Sequence, residues 1–319
     1  MLMELSTNMS LSPILLALVP VVVLIAGGRA LRAVPMFGAA EFWSGAERLA
    51  YYCLLPVLLF ASVAEVDVSH VPLLPLTAAL VIPTVLVSLA LVVLRSVVAQ
   101  DLPSFTSVLQ GGIRFNTYVG LSISASLFGS EGAALAAIVA AILVPTVNIV
   151  SSLGFALLRT GPRTALGMLR VVATNPLVLG CAAGGVWNLV GVPVPDLASA
   201  VLDPLAAAAL PIGLLCVGAG LRRFSLRDHA GALITSTAAK LVVLPGLSLA
   251  ALIVTDVPPV AAAVGLIFQA IATASSGYVM SRQLGGNSEL MAALIAVQTV
   301  LMLLTLPPVL LLAQVVLGV

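Results

Sequence analysis

Ten apolar runs, each about as long as a bilayer-crossing helix, confine this chain to a membrane before any other feature is read. About 20 consecutive apolar residues cross the ~30 Å hydrocarbon core as a helix. Such runs fall at roughly 12–31, 44–64, 73–95, 104–127, 132–158, 171–191, 197–220, 230–254, 259–281 and 290–316. Between them stand turns such as "GVPVPD" and "TDVPP", whose Gly, Pro and Asp punctuate helices. Only 8% of the 319 residues are charged, against about a quarter in a soluble domain. Within lipid every backbone N–H and C=O needs an internal partner, so runs of this length must be helical. The fold class expected is an all-α integral membrane protein with ten transmembrane helices.

Charge placement tests that count. Arg29, Arg32 and Arg48 stand at the connection between spans 1 and 2, and Arg95 between 3 and 4. Arg159, Arg163 and Arg170 separate spans 5 and 6, Arg222, Arg223 and Arg227 separate 7 and 8, and Arg282 separates 9 and 10. The even connections hold Glu65, Asp67, Glu131, Asp196 and Asp256 and no Lys or Arg. The positive-inside rule then makes the odd connections cytoplasmic and places both termini outside. No basic region precedes the first span, so no cleavable signal peptide is expected.

Two of the thirteen basic residues remain, Arg114 and Lys240, each about ten residues into a span. At 1.5 Å per residue that is ~15 Å, mid-membrane. A cation there is a functional candidate by default, with a structural cation capped by helix carbonyls as the alternative. No Asp or Glu lies at the same depth. That asymmetry favours an anionic substrate and weakens coupling to sodium or protons, for which an acidic ligand is the usual signature.

The chain also resembles itself. "LLPVLLFASV" from Leu54 aligns with "ALPIGLLCVG" from Ala209, pairing Pro56 with Pro211. "FGSEGAALAAI" from Phe128 aligns with "GGNSELMAALI" from Gly285, pairing Glu131 with Glu289. The offsets, 155 and 158 residues, agree. Five spans per half is an odd number, so residues 159–319 would repeat residues 1–158 upside down, as many secondary transporters do. Under that offset the stretch "QGGIRFNTYVG" in span 4 faces "QAIATASSGYV" in span 9. Both place small and polar residues where a lipid-facing helix needs Leu. Unwound backbone is tolerated there only against protein or a water-filled cavity. Spans 4 and 9 are therefore expected to be broken and to cross, with span 9 interrupted between about Ala272 and Gly277.

"QGGIRFNTYVGLSISASLFG", "NPLVLGCAAGGVWNLVGVPVP", "ALPIGLLCVGAGL" and "SGYVMSRQLGGNSELMAALIAVQTVLMLLTLPP" resemble the bacterial branch of the auxin efflux carrier family, whose fold is related to the bile acid/sodium symporters. The resemblance implies two inverted five-helix repeats. It also implies a scaffold of helices 1, 2, 6 and 7 that forms a homodimer, and a mobile transport domain of helices 3–5 and 8–10. Organic anions, auxin-like or other carboxylates, would be carried across a bacterial cytoplasmic membrane by an elevator-type shift. The family's crossing prolines are replaced here by Ser122 and Ala272, and a common asparagine by Ser276. Some members pair a lysine like Lys240 with a carboxylate on span 3; this chain has no acid from Leu73 to Leu94.

The candidate substrate residues are Asn116, Arg114, Thr117, Tyr118, Thr273, Ser275, Ser276 and Lys240, with Gly120, Ser122, Ala272 and Gly277 marking the breaks. The Asn116 amide can serve the broken backbone or a ligand. Thr117, Ser275 and Ser276 suit loose backbone groups better. Tyr118 stacks on a ligand or packs. Glu131 and Glu289 follow serines at helix starts, a structural placement, and Pro56 and Pro211 read as scaffold kinks. Cys53, Cys181 and Cys216 read as small buried hydrophobes. His70 and His229 stand alone, so no metal site is expected. No phosphate loop or nucleotide fingerprint exists, the near-zero net charge disfavours nucleic acid, and neither a cofactor nor enzymatic activity is expected. A sodium- or proton-coupled symporter of the same fold, and a receptor that binds without transporting, are the alternatives.

Overall fold

The computed structural model describes residues 11–64, 71–99, 101–156, 174, 176–221, 229–274 and 276–318. Of these, 88% are helical and none is in a strand. Among the described residues six helices are long and apolar enough to cross a membrane, and there are shorter apolar helices besides. We name the helices α1 (Leu11–Leu31), α2 (Ala40–Ala64), α3 (Leu73–Val93), α4 (Leu102–Ile113), α5 (Thr117–Ala156), α6 (Pro176–Val190), α7 (Asp196–Gly220), α8 (Ala230–Val254), α9 (Pro259–Ala270), α10 (Ser276–Leu284) and α11 (Ser288–Leu317).

Local sequence sets the irregular points. Proline lacks an N–H and collides with the carbonyl four residues back. In α2 and α8 the chain meets this with a π-turn directly before Leu-Pro, at Ala50–Leu54 before Pro56 and at Ala239–Val243 before Pro245. The Leu55 N–H reaches Ala50 O and the Leu244 N–H reaches Ala239 O, the wider loop that relieves the clash. Pro211 sits inside α7, which continues through it. α5 bends at Gly129, whose φ of 61° only glycine adopts freely. Gly285 has φ 84° at the junction of α10 and α11, the corresponding place in the second half.

The breaks expected in spans 4 and 9 are present. α4 ends at Ile113 and α5 starts at Thr117; α9 ends at Ala270 and α10 starts at Ser276. The residues that end the first half-helices, Arg114 (φ −71°, ψ 158°) and Ile271 (φ −87°, ψ 157°), share one extended geometry. Their separation lies between the two sequence offsets. The second break starts at Ile271, next to the expected Ala272, while three of the residues named as break markers lie past the breaks. Gly120 and Ser122 lie inside α5 and Gly277 inside α10, because Asn116 and the Ser276 turn restart the helices before those residues are reached. α11 is capped by Asn287, whose Oδ1 accepts from the Leu290 N–H at 3.0 Å, and not by Ser288.

Two bundles result. α1 packs on α7, α7 on α2 and α2 on α6, while α3, α4, α8, α9, α10 and α11 pack around the breaks; α5 contacts both groups and α1 also reaches α11. The first bundle is drawn tight by glycines. A Cβ at Gly180 or Gly184 of α6 would meet the Pro56 or Phe60 carbonyl of α2, and one at Gly28 or Gly218 would meet the Leu215 or Ile25 carbonyl across the α1–α7 crossing. Small residues that let backbones touch are the usual glue between membrane helices.

Hydrogen bonds also record which ends lie together. Arg32, after α1, donates to Ala219 O at the end of α7. Asn188, ending α6, donates to Val63 O and Ala64 O at the end of α2. The Asn287 N–H before α11 donates to Pro103 O at the start of α4, and its side chain meets Ser104 and His229, which precedes α8. Numbered by the ten expected spans, these contacts join odd connections to odd and even to even. The basic residues Arg159, Arg163, Arg170, Arg222, Arg223 and Arg227 lie outside the described residues, as do Glu65, Asp67, His70 and Ser275.

Candidate functional site

The two breaks touch. The Asn116 N–H donates to Ala272 O at 2.9 Å. Backbone groups released by the second break find side chains instead: the Ala272 N–H lies 3.3 Å from Met302 Sδ, and the Thr273 N–H donates to Gln298 Oε1 at 3.1 Å. The same Gln298 donates from Nε2 to Gly111 O at 2.9 Å, so one buried side chain on α11 clamps both breaks. Phe268 packs between them, its ring 5.3 Å from that of Phe115 and against Gly120, where a Cβ would lie 2.7 Å from the ring. The arrangement satisfies the demand that interrupted helices be covered by protein.

A cleft of about 510 Å³ opens beside the breaks. One wall is the start of α5 (Asn116, Thr117, Tyr118) together with Ala274, Ser276 and Met280. The facing wall comes from α2: Ser44, Glu47, Arg48, Tyr51, Tyr52 and Leu55, the tyrosines being carried outward by the π-turn. Two helix N-termini, those of α5 and α10, therefore meet at one cleft. Each presents the positive end of its dipole, which favours an anion.

Asn116 serves the broken backbone. Its Oδ1 accepts from the Tyr118 and Val119 N–H groups at 3.2 and 3.4 Å, capping α5. That fixes the amide, because the oxygen cannot be exchanged for a donor. The nitrogen Nδ2, without a partner among the described residues, is left for the cleft. Tyr118 is buried with its ring against Gly213 of α7, and its hydroxyl has no partner among the described residues. Thr117 lines the cleft half-exposed.

Arg114 stands one layer behind. It is buried and does not line the cleft; its guanidinium joins Asn148 Oδ1 (3.1 Å) and Ser151 Oγ (3.4 Å) of α5 to Ser276 Oγ (3.4 Å) and Met280 Sδ (3.3 Å) of α10. Lys240 is away from the cleft too. It is fully buried in the α8 π-turn, with Nζ 3.3 Å from Phe268 O near the end of α9 and 6.0 Å from the Phe115 ring centroid. Thr273 is likewise buried outside the cleft. Glu131 is exposed in α5, and Glu289 lies in the first turn of α11. Among the described residues no cluster of His, Cys, Asp or Glu could hold a metal ion.

The structure adds residues that the sequence reading passed over: Gln298, Asn148, Ser151, Met280 and the α2 wall from Ser44 to Tyr52. Asn148 and Ser151 carried a signal, since two polar residues three apart in "VPTVNIVSS" share one helical face. The α2 wall carried none, because nothing local shows which helix faces the breaks. The chain matches no protein-family model and no curated protein.

Proposed function

We propose that the protein is a secondary transporter for a small organic anion, of the auxin efflux carrier type. One observation carries this reading: two helix N-termini, with the fixed Asn116 amide between them, converge on a cleft at the meeting point of two broken helices. The dipole ends favour negative charge, and a single amide donor orients it. Tyr51, Tyr52 and Tyr118 supply apolar faces for the remainder of the ligand.

Ten spans in two inverted repeats account for the rest. Counting α4 with the start of α5 as span 4, the remainder of α5 as span 5, and α9 with α10 as span 9 gives ten. Odd-with-odd and even-with-even pairing of the connections supports alternate crossing, with both termini on the outer face of a bacterial cytoplasmic membrane. The matching break geometry and the glycines at both bends support the repeat. The bundle of α1, α2, α6 and α7 serves as scaffold and homodimer face. The bundle around the breaks, with α5, moves as the elevator, carrying one cleft wall past the α2 wall.

Uptake of radiolabelled carboxylates into proteoliposomes tests the reading. We expect uptake of at least one carboxylate without a sodium or proton gradient. Strict sodium dependence would replace the uniport with a symporter of the same fold. Ligand binding with no uptake by any member of the panel would leave a receptor.

A further inference from the structure

We infer that Arg114 sets the hydrogen-bond polarity of the cleft through Ser276, making Arg114 a positioning residue that selects ligands able only to accept hydrogen bonds. This rests on the organic-anion reading of the cleft. A guanidinium only donates, so the contact between Arg114 Nη2 and Ser276 Oγ at 3.4 Å makes the serine oxygen the acceptor. The serine hydrogen must then point away from Arg114. Among the described residues nothing accepts it, and Ser276 lines the cleft at the first residue of α10.

The cleft is therefore offered a donor with a full positive charge directly behind it. The other acceptors of Arg114 are Asn148 Oδ1, Ser151 Oγ and Met280 Sδ, all neutral, so none of the four cancels that charge. They hold the fork in place from both sides: Asn148 and Ser151 fix it to α5, Met280 to α10. A hydroxyl that accepts from a cation becomes a stronger donor in a low-dielectric site. A carboxylate, which has only acceptors, completes the chain. A carboxamide in the same position must turn its N–H₂ away, and an ammonium offers no acceptor and meets the guanidinium field.

Three ligands of one shape test this on the purified protein in detergent: phenylacetate, phenylacetamide and phenethylamine, with affinities from titration calorimetry. Phenylacetate is expected to bind at least about tenfold more tightly than the amide, the discrimination typical of one mismatched donor at a charged site, and the amine not measurably. Ser276→Ala should weaken phenylacetate about tenfold and bring the carboxylate-to-carboxamide ratio close to one. Arg114→Met should compress the same ratio, and the double variant should be no worse than the worse single one, because the two residues act in series. Arg114→Met also removes a cross-link between α5 and α10, so its melting temperature does not decide; the ratio does. Should that variant not fold, the ratio in Ser276→Ala decides alone. An unchanged ratio in Ser276→Ala, or additive losses in the double variant, overturns the role given to Arg114 and leaves the anion reading standing. Failure of all three ligands to bind overturns the anion reading of the cleft itself.

Discussion

Replacing Gln298 by leucine should loosen the joint between the two breaks without touching the cleft. The side chain is fully buried, and its two ends satisfy the Thr273 N–H and the Gly111 carbonyl at 3.1 and 2.9 Å. Leucine fills nearly the same volume, so cavity formation is minor and the loss is polar. Leaving a buried backbone group unpaired costs ~1–3 kcal/mol in soluble proteins, while single hydrogen bonds inside membrane proteins average ~0.6 kcal/mol. Two bonds then give about 1–6 kcal/mol, centred near ~3, or a fall of roughly 5–10 °C at the few degrees per kcal/mol of a large domain. The assay is thermal unfolding of the detergent-solubilised protein followed by size-exclusion fluorescence. Gln298→Glu should fall between, keeping an acceptor for Thr273 but losing the donor to Gly111. Val300→Leu, at an exposed position on the same helix, is the control. A melting temperature equal to wild type in Gln298→Leu would refute the clamp, and a larger loss in Gln298→Glu than in Gln298→Leu would show that shape outweighs the two hydrogen bonds.

Asn116→Asp keeps the oxygen that caps α5 but replaces the cleft-facing donor by an acceptor, so stability should hold while phenylacetate affinity falls at least about tenfold by calorimetry. Tyr118→Phe removes a buried hydroxyl that has no partner among the described residues; the ligand-free protein should melt no lower, and loss of affinity would assign that hydroxyl to the ligand. Lys240→Met should lower the melting temperature and leave affinity unchanged, because Nζ meets Phe268 O at 3.3 Å outside the cleft. A cysteine at Asp196 should label from outside intact cells, and one at Asn287 only after the inner face is opened; the reverse pattern would refute the orientation.

How much of this was legible follows from the range of the forces involved. Hydropathy acts over a span, so the apolar segments and their polar interruptions could be read directly. The break in span 9 was visible as a loss of Leu at membrane depth, and its start was legible to about a residue. A helix restarts at the first residue that can cap it, and Asn116 caps α5 before Gly120 and Ser122 are reached. The π-turns were legible in principle, since Leu-Pro inside an apolar run forces the preceding turn to widen, but periodicity alone does not show it. What the sequence withheld was pairing. Gln298 looks like any polar residue in a long helix until Gly111 and Thr273 are brought to either side of it. Arg114 was visible as a cation at mid-depth, while the layer it occupies depends on Asn148 and Ser151, which lie more than thirty residues away.

The two halves of the crossing share their geometry but divide the chemistry. The first break supplies the fixed amide of Asn116 and the cation Arg114; the second supplies small residues, Ala272, Ala274 and Ser276, that let the first approach. A charged residue at both breaks would place like charges within a few ångströms in a low-dielectric site, where repulsion is severe. A proline at Ala272 would keep the carbonyl that accepts from the Asn116 N–H but remove the N–H that lies 3.3 Å from Met302 Sδ. Neither break needs a proline, because the ends are fixed by Gln298, Met302 and the Asn116 cap instead of by a ring that cannot continue the helix. The break is made by what the neighbouring helices offer its backbone. On this account a proline introduced at Ser122, inside α5, would bend a helix that is already past its break, and would move the Asn116 cap away from the cleft rather than restore a crossing.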